Sequence, residues 1–335
     1  MSGVLDKFGR PLRDLRISVT DRCNFRCPYC MPREVFGENF LFLPKAAVLT
    51  FEEITRVARL AIGLGVRKVR LTGGEPLLRR DLASLVGMLA EAEGLTDLAL
   101  TTNGLLLAGA ACALQDAGLH RVTVSLDALD DALFRRLGGT DRPVADVLRG
   151  IRAAADAGLP LKINCVVQQG VNETEVLPLA SWCRSEGHTL RFIEYMDVGN
   201  HNRWRHESVV AAAVLRERLH QAFGLVPLEP AWHGEVARRF RYADHPGEVG
   251  FVSSITEPFC GDCNRARLTA DGKLVTCLFA SGGTDLRGLL RSGSSDDQVS
   301  AALLSVWQAR EDRYSELRAE NRQPEHKVEM SYVGG

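Results

Sequence analysis

The chain predicts an α/β fold: a partial, open TIM-type barrel of about six βα units over residues 1–200, followed by a C-terminal α+β extension over 201–335. Three observations predict it. Short apolar runs alternate with amphipathic helical stretches between residues 15 and 196, the pattern of a parallel sheet with right-handed crossovers. Six such units are too few for a closed eight-strand barrel. After about residue 200 the alternation gives way to short strands and a hairpin, and each part carries its own group of three cysteines.

Leu15–Thr20 reads as the first strand, feeding a cysteine loop. A helix over Thr50–Gly65 follows, with Thr50 and Glu53 as a capping box, Ile54, Val57, Ala58, Ala61 and Leu64 on one face, and Gly65 as its stop. Val66–Thr72, Leu95–Thr101, Arg121–Leu126, Leu161–Val167 and Leu190–Met196 are the remaining strands. Helices are predicted over Leu82–Ala92, Ala108–Ala117, Ala145–Ala157 and Glu173–Ser185. The residues that attract chemical interest follow strand ends, the face where barrel enzymes gather their functional groups. In the extension, Ser208–Phe223 is an amphipathic helix, and Ala270-Asp271-Gly272-Lys273 turns a hairpin between Arg265–Thr269 and Leu274–Leu278. Ser292–Asp297 reads as a polar loop, Leu303–Ala319 as a helix, and Lys327–Gly335 as a polar tail.

Lys and Arg number 41 against 42 Asp and Glu, a balance that argues against a nucleic-acid or polyanionic membrane partner. No apolar run reaches the length of a membrane span, and Met1 to Arg10 lacks the pattern of a secretory signal. Nine cysteines, six of them in tight clusters, suit metal binding in a reducing cytoplasm better than a disulfide framework.

Cys23, Cys27 and Cys30 form C-x3-C-x2-C on one loop. Three thiolates can hold a [4Fe–4S] cube and leave one iron open to a small-molecule ligand. A zinc site would want a fourth ligand, and no fourth cysteine or histidine lies near this loop. Cys260, Cys263 and Cys277 form C-x2-C-x13-C, with Gly261-Asp262 turning the first two sulfurs toward one centre and the hairpin returning the third. The spacing favours a second Fe–S cluster with an open iron over a zinc ribbon. Cys112, Cys165 and Cys183 fall in helix or strand patterns and read as core.

The first loop, with aromatic Tyr29 before its last cysteine, resembles the radical S-adenosylmethionine (SAM) superfamily. The combination resembles the GTP 3′,8-cyclase family (molybdenum cofactor biosynthesis protein A) over nearly the whole chain. The motifs that carry it are Arg16, Thr20-Asp21-Arg22-Cys23-Asn24, Pro28-Tyr29-Cys30-Met31-Pro32, and Arg70-Leu71-Thr72-Gly73-Gly74-Glu75-Pro76. Thr101-Thr102-Asn103-Gly104, Arg191 to Met196, Cys260 to Arg267 and the terminal Gly334-Gly335 complete them.

The resemblance implies two [4Fe–4S] clusters and SAM as cofactors, and conversion of GTP to a 3′,8-cyclised dihydro-GTP. A 5′-deoxyadenosyl radical would abstract hydrogen from ribose C3′, the carbon radical would attack guanine C8, and the second cluster's open iron would hold the guanine. It further implies a flavodoxin- or ferredoxin-type reductant, a downstream enzyme that makes cyclic pyranopterin monophosphate, and no nucleic-acid or membrane partner. Oligomeric state, a homodimer included, stays open. Tyr29, Gly74, Ser125 and Met196 carry over as SAM contacts, and Thr101 as a GTP contact. Arg16, Arg70, Lys162, Arg265 and Arg267 are the cations for the triphosphate, since guanidinium forks match phosphate oxygens. Asp127 and Glu194 could pair with these bases, and the Gly334-Gly335 tail is implied to enter the active site. Two other readings share these motifs: a peptide-modifying radical SAM maturase, disfavoured by only three cysteines after residue 200, and a non-enzymatic metal-binding module.

Overall fold

A computed structural model describes residues 3–232, 234–318 and 326–334. Six parallel strands form the middle of one sheet: β1 (Asp14–Ser18), β2 (Lys68–Thr72), β3 (Asp97–Thr102), β4 (Arg121–Ser125), β5 (Leu161–Val167) and β6 (Thr189–Glu194). The later strands are β7 (Leu225–Pro227), β8 (Arg238–Tyr242), β9 (Glu248–Val252), β10 (Arg265–Leu268), β11 (Lys273–Val275) and β12 (Thr284–Asp285). They join the same sheet at both edges. Its order is β12-β11-β10-β1-β2-β3-β4-β5-β6-β9-β8-β7. β10 lies parallel to β1 and β9 parallel to β6, while the outermost strands are antiparallel. The sheet therefore ends in two free edges and stays open.

Most barrel helices form near where the pattern placed them, but the expected Ala108–Ala117 helix begins at Ala111 and the expected Ser208–Phe223 helix begins at Ala212. Phe51–Gly63 begins at the Thr50–Glu53 capping box, both halves of which are made, and buries Ile54, Val57, Ala58, Ala61 and Ile62. Asp131–Gly138 is a helix that the sequence reading passed over, capped by Asp130 and stopped by Gly139 at φ 53°. Ser295 caps a helix over Asp296–Gln308, so the expected polar loop ends earlier than Asp297. The expected Leu303–Ala319 helix breaks after Gln308 and resumes only at Tyr314–Leu317, with Ala319 outside the described residues.

Strand alternation divides the sheet into two faces. Ile17, Val69, Leu71, Leu98, Leu100, Val122, Val124 and Ile163 are fully buried in the apolar core. Residues of the opposite parity, Arg16, Arg70, Thr101, Ser125 and Asn164 among them, line a chamber on the other face. Cys165 and Cys183 are buried as expected, but Cys112 is exposed. Its helix, Ala111–Asp116, turns Ala111 and Leu114 inward and leaves Cys112 on the outer side. No helix among the described residues is long and apolar enough to cross a membrane.

Candidate functional site

The first cysteine loop leaves β1 and turns sharply, with Cys30 and Met31 N–H groups donating to the Cys27 carbonyl at 3.0 and 2.8 Å. Its three thiols are unpaired and half-buried. Burial pushes Cys23 up to about 11, with help from the Glu75 carboxylate. Burial, then neighbouring Cys30 and Cys23, push Cys27 far above its ordinary value. Thiols crowded out of water in this way give up their protons to a metal more readily than to solvent. Among the described residues, no three His, Cys, Asp or Glu side chains converge on a single metal ion. Three thiols on one loop can supply a cluster in which each meets a different iron.

Gly73 and Gly74 hold this loop from below. A Cβ on Gly73, whose φ is +149°, would sit 2.5 Å from the Thr20 carbonyl, and one on Gly74 would sit 2.2 Å from the Arg22 carbonyl. Only glycine allows that approach. Glu75 then ties the loop to β3, accepting from the Thr102 hydroxyl at 2.7 Å and the Asn103 N–H at 2.8 Å. Gly74 does not line the chamber; it packs against the backbone leading to Cys23.

The second cysteine group sits at the sheet edge. Cys260–Asp262 is one 3-10 turn, and the Cys263 N–H closes it on the Cys260 carbonyl at 3.2 Å. The β10–β11 hairpin pairs Arg267 with Val275, and Cys277 follows two residues later. All three cysteines line the chamber. Burial would push the Cys263 thiol up, yet Arg265 and Arg310 hold it down at about 6. This set is also three thiols outside any disulfide, so it fits a second cluster of the same kind.

Between the two groups runs a row of cations. Register places Arg267 beside Arg16 and Arg16 beside Arg70, on β10, β1 and β2. Arg265 lies across from Asp14, and Arg191 lies across from Asn164 on the far side. Arg16, Arg70, Arg191, Arg265 and Arg267 all line the chamber. Arg70 donates to the hydroxyls of Thr101 at 2.7 Å and Thr123 at 3.2 Å, and Arg191 reaches the same Thr123 at 3.3 Å. Arg16, Arg70 and Arg191 each keep a buried Nε without a partner. Burial first, then the like charges of Arg16, Arg121 and Arg191, pull the Arg70 pKa well down. Guanidiniums gathered this way destabilise an empty pocket and welcome a polyanion. Lys162 stands one step deeper, opposite Thr123 and Thr189, and burial with Arg191 and Arg121 holds it at about 8. It is not part of the chamber lining.

The remaining candidates meet at the mouth. Tyr29, Ser125 and Met196 line the chamber with Thr101. The Tyr29 hydroxyl donates to Asp127 at 2.7 Å, and the other Asp127 oxygen accepts from the Val166 N–H at 2.8 Å. Asp127 thus meets the cluster loop and not a base. Glu194 accepts from the N–H groups of Ala212, Ile255 and Thr256, which ties β6 to the chain that follows it. Both expected ion pairs are therefore absent among the described residues, because backbone donors and a phenol reach these carboxylates first.

The tail comes into the chamber. Met330 is part of the lining, and the carbonyls of Val333 and Gly334 both accept from Arg267 Nη1, the first at 3.2 Å. Gly334 has φ +68°, and a Cβ there would lie 2.1 Å from Thr72 Cγ2. Gly335 lies outside the described residues. Arg191, Asn164 and Arg310 are chamber residues that the sequence reading gave no role. Strand parity could have found Arg191 and Asn164, since both alternate with buried Phe192 and Cys165; nothing local marks Arg310.

Comparison with known proteins agrees with this geometry. A profile described as the Radical SAM superfamily matches residues 17–183, and one described as Molybdenum Cofactor Synthesis C matches residues 188–316. The chain is 55% identical to a GTP 3′,8-cyclase of Acidothermus cellulolyticus, over 99% of both chains. It is 54% identical to the GTP 3′,8-cyclase of Xanthomonas axonopodis pv. citri, over 98% of both. It is 45% identical to that of Staphylococcus aureus strain MRSA252, over 99% of both. Among solved structures, Streptococcus suis SuiB bound to S-adenosylmethionine superposes with a TM-score of 0.62 at 17% identity, covering 92% of this chain and 68% of that one. That likeness concerns the fold.

Proposed function

The chain belongs to the GTP 3′,8-cyclase family of radical SAM enzymes, and from that premise we propose how its own residues divide the work. The activity is the conversion of GTP to 3′,8-cyclo-7,8-dihydro-GTP, the first step of molybdenum cofactor biosynthesis. Two [4Fe–4S] clusters and SAM are its cofactors. When bound, these supply the electron and the 5′-deoxyadenosyl radical that start the reaction, and an open iron that holds the base.

Residues 1–200 form the partial barrel that takes SAM and part of the nucleotide, and residues 201–335 carry the second cysteine set and the rest of the nucleotide site. Cys23, Cys27 and Cys30 hold the first cluster, and Cys260, Cys263 and Cys277 the second. Tyr29, Ser125 and Met196 contact SAM at the barrel mouth, and Gly74, by keeping the loop backbone close, leaves room for its amino group. The triphosphate lies along Arg16, Arg70, Arg265 and Arg267, with Arg191 added to that set, Thr101 beside Arg70, and Lys162 beneath. Excluding water matters as much as binding, because a carbon radical left in an open site reacts with whatever reaches it. Ile193, Val252, Phe259 and Phe279 supply the apolar wall.

One observation carries this reading: a single chamber contains the second cysteine set, the arginine row and three of the SAM-contact candidates, Tyr29, Ser125 and Met196. The chain's charge is balanced overall, so six arginines lining one chamber point to an anionic guest. A one-electron donor of the flavodoxin or ferredoxin type and a downstream enzyme that takes the cyclised product complete the partners. Nine unpaired thiols suit a reducing cytoplasm. The test is to incubate anaerobically reconstituted protein with SAM, dithionite and GTP. Formation of 5′-deoxyadenosine with matching loss of GTP supports the assignment; SAM cleavage with GTP untouched contradicts it.

A further inference from the structure

Two arginines from distant parts of the chain grip the second cysteine group. Arg10 precedes β1, and Arg310 follows the Asp296–Gln308 helix. Their side chains are both 2% exposed, and both meet the carboxylate of Asp6, which is 0% exposed: Arg10 Nε at 2.6 Å and Arg310 Nη1 at 3.3 Å. The N–H groups of Phe8 and Arg10 also donate to Asp6, each at 2.9 Å, so the carboxylate is fixed by its own loop.

From that anchor the guanidiniums reach the cysteines. Arg10 Nη1 donates to the carbonyls of Cys260 at 2.7 Å and Asp312 at 2.8 Å. Arg310 Nη1 donates to the Cys263 carbonyl at 2.6 Å, and its Nη2 faces the Cys263 sulfur at 3.2 Å. The Arg310 guanidinium also lies over the Trp307 ring, 4.7 Å from its centroid, which fixes its plane. Arg265 Nη2 adds a second donor to the same sulfur at 3.4 Å. Asp312, partly exposed, also pairs with Arg310 Nε at 3.4 Å, so two carboxylates hold the two guanidiniums in place. A cluster-bound Cys263 sulfur would carry negative charge, and the Arg310 and Arg265 guanidiniums are both donors within reach of it.

We propose that Arg310, oriented by Asp6, is a positioning residue that raises the reduction potential of the second cluster through the Cys263 sulfur. An electron added to an Fe–S cluster places negative charge on the ligand sulfurs. N–H donors and a neighbouring cation stabilise that reduced state and shift the potential upward. Arg10 holds the loop by its backbone carbonyl and does not touch the sulfur, so the two arginines have separable effects. The inference rests on the reading that Cys260, Cys263 and Cys277 hold a cluster.

The experiment is an EPR-monitored redox titration of the reconstituted full chain, with iron and sulfide counted on each sample. The Cys23→Ser/Cys27→Ser/Cys30→Ser variant identifies which reductive step belongs to the second cluster. Arg310→Gln should move that step to more negative potential, leave the first cluster's step in place, and keep the iron content. Asp6→Asn, which retains both guanidiniums but loosens them, should move it the same way by less. Arg310→Lys, which keeps the charge without the fork, should fall between wild type and Arg310→Gln. If Arg310→Gln sheds the second cluster's iron, the lysine and asparagine variants carry the measurement. An unchanged second step in loaded variants, or equal shifts of both steps, overturns the inference. Failure of the wild-type chain to load a second cluster would instead overturn the functional reading on which it rests.

Discussion

Arg267 Nη1, on the strand that extends the barrel beyond β1, donates to the carbonyl of Val333 at 3.2 Å. Among the described residues, this buried guanidinium of the chamber lining is met by the main-chain carbonyls of Val333 and Gly334. Carbonyl oxygens carry no net charge, so these two contacts leave Arg267 its capacity for an anion while Met330–Val333 is seated. Removing Gly334 and Gly335 should cut GTP turnover several-fold and leave the thermal unfolding midpoint close to wild type, since the helix Met330–Val333 keeps its packing. Turnover and unfolding scans check this; undiminished turnover would make the tail an idle end.

The arginine row should separate the two substrates. Arg265→Ala and Arg267→Ala each remove hydrogen bonds to a charged group, worth about 1.5–3 kcal/mol apiece. GTP affinity should therefore fall roughly ten- to hundredfold, with SAM affinity nearly unchanged. Equilibrium binding of each ligand to the loaded protein measures it. Equal losses for both ligands would mean that these arginines hold the fold.

Cys277→Ser should abolish GTP turnover and lower iron content, while SAM cleavage persists slowly at the first cluster. Product analysis and iron counting on the same sample decide the point. Unchanged GTP turnover would remove Cys277 from the ligand set.

Glu75 carries a pH signature. Burial pushes its carboxyl up to about 7, against the pull of hydrogen bonds from the Asn103 N–H, the Thr102 hydroxyl and the Leu77 N–H. An unfolded Glu titrates near ~4.3. The folded chain therefore holds an extra proton between these values. The stability this contributes is fully present below the unfolded pKa and is lost as pH rises through the folded one. Relative to Glu75→Gln, the cluster-free wild-type chain should lose on the order of 3 kcal/mol across that window. Urea unfolding of both proteins at about pH 5 and about pH 8 tests the sign. A difference that does not change with pH would show that Glu75 is not the titrating group.

Much of the barrel was legible because its signals are local. The Thr50–Glu53 capping box, the strand parity around Arg70 and the hairpin at Gly272 are each written within a few residues. The helix Asp131–Gly138 was missed because its short apolar face, Phe134 and Leu137, is interrupted by two arginines. Cys112 was misplaced because its helix is too short for a periodicity to show which side is inner. How the later strands join the barrel strands could not be read. β10 beside β1 and β9 beside β6 join segments far apart in the chain, and only that pairing brings Arg267 next to Arg16. Asp6, Arg10 and Arg310 belong to the same class: each looks like an ordinary surface charge until the fold buries all three together.

The most direct test of the account is to count iron and acid-labile sulfide in oxygen-protected, reconstituted protein. Two cysteine triads, each holding one cube, predict about eight irons and about eight sulfides per chain. Zinc alone, or iron sufficient for about one cube, would contradict it.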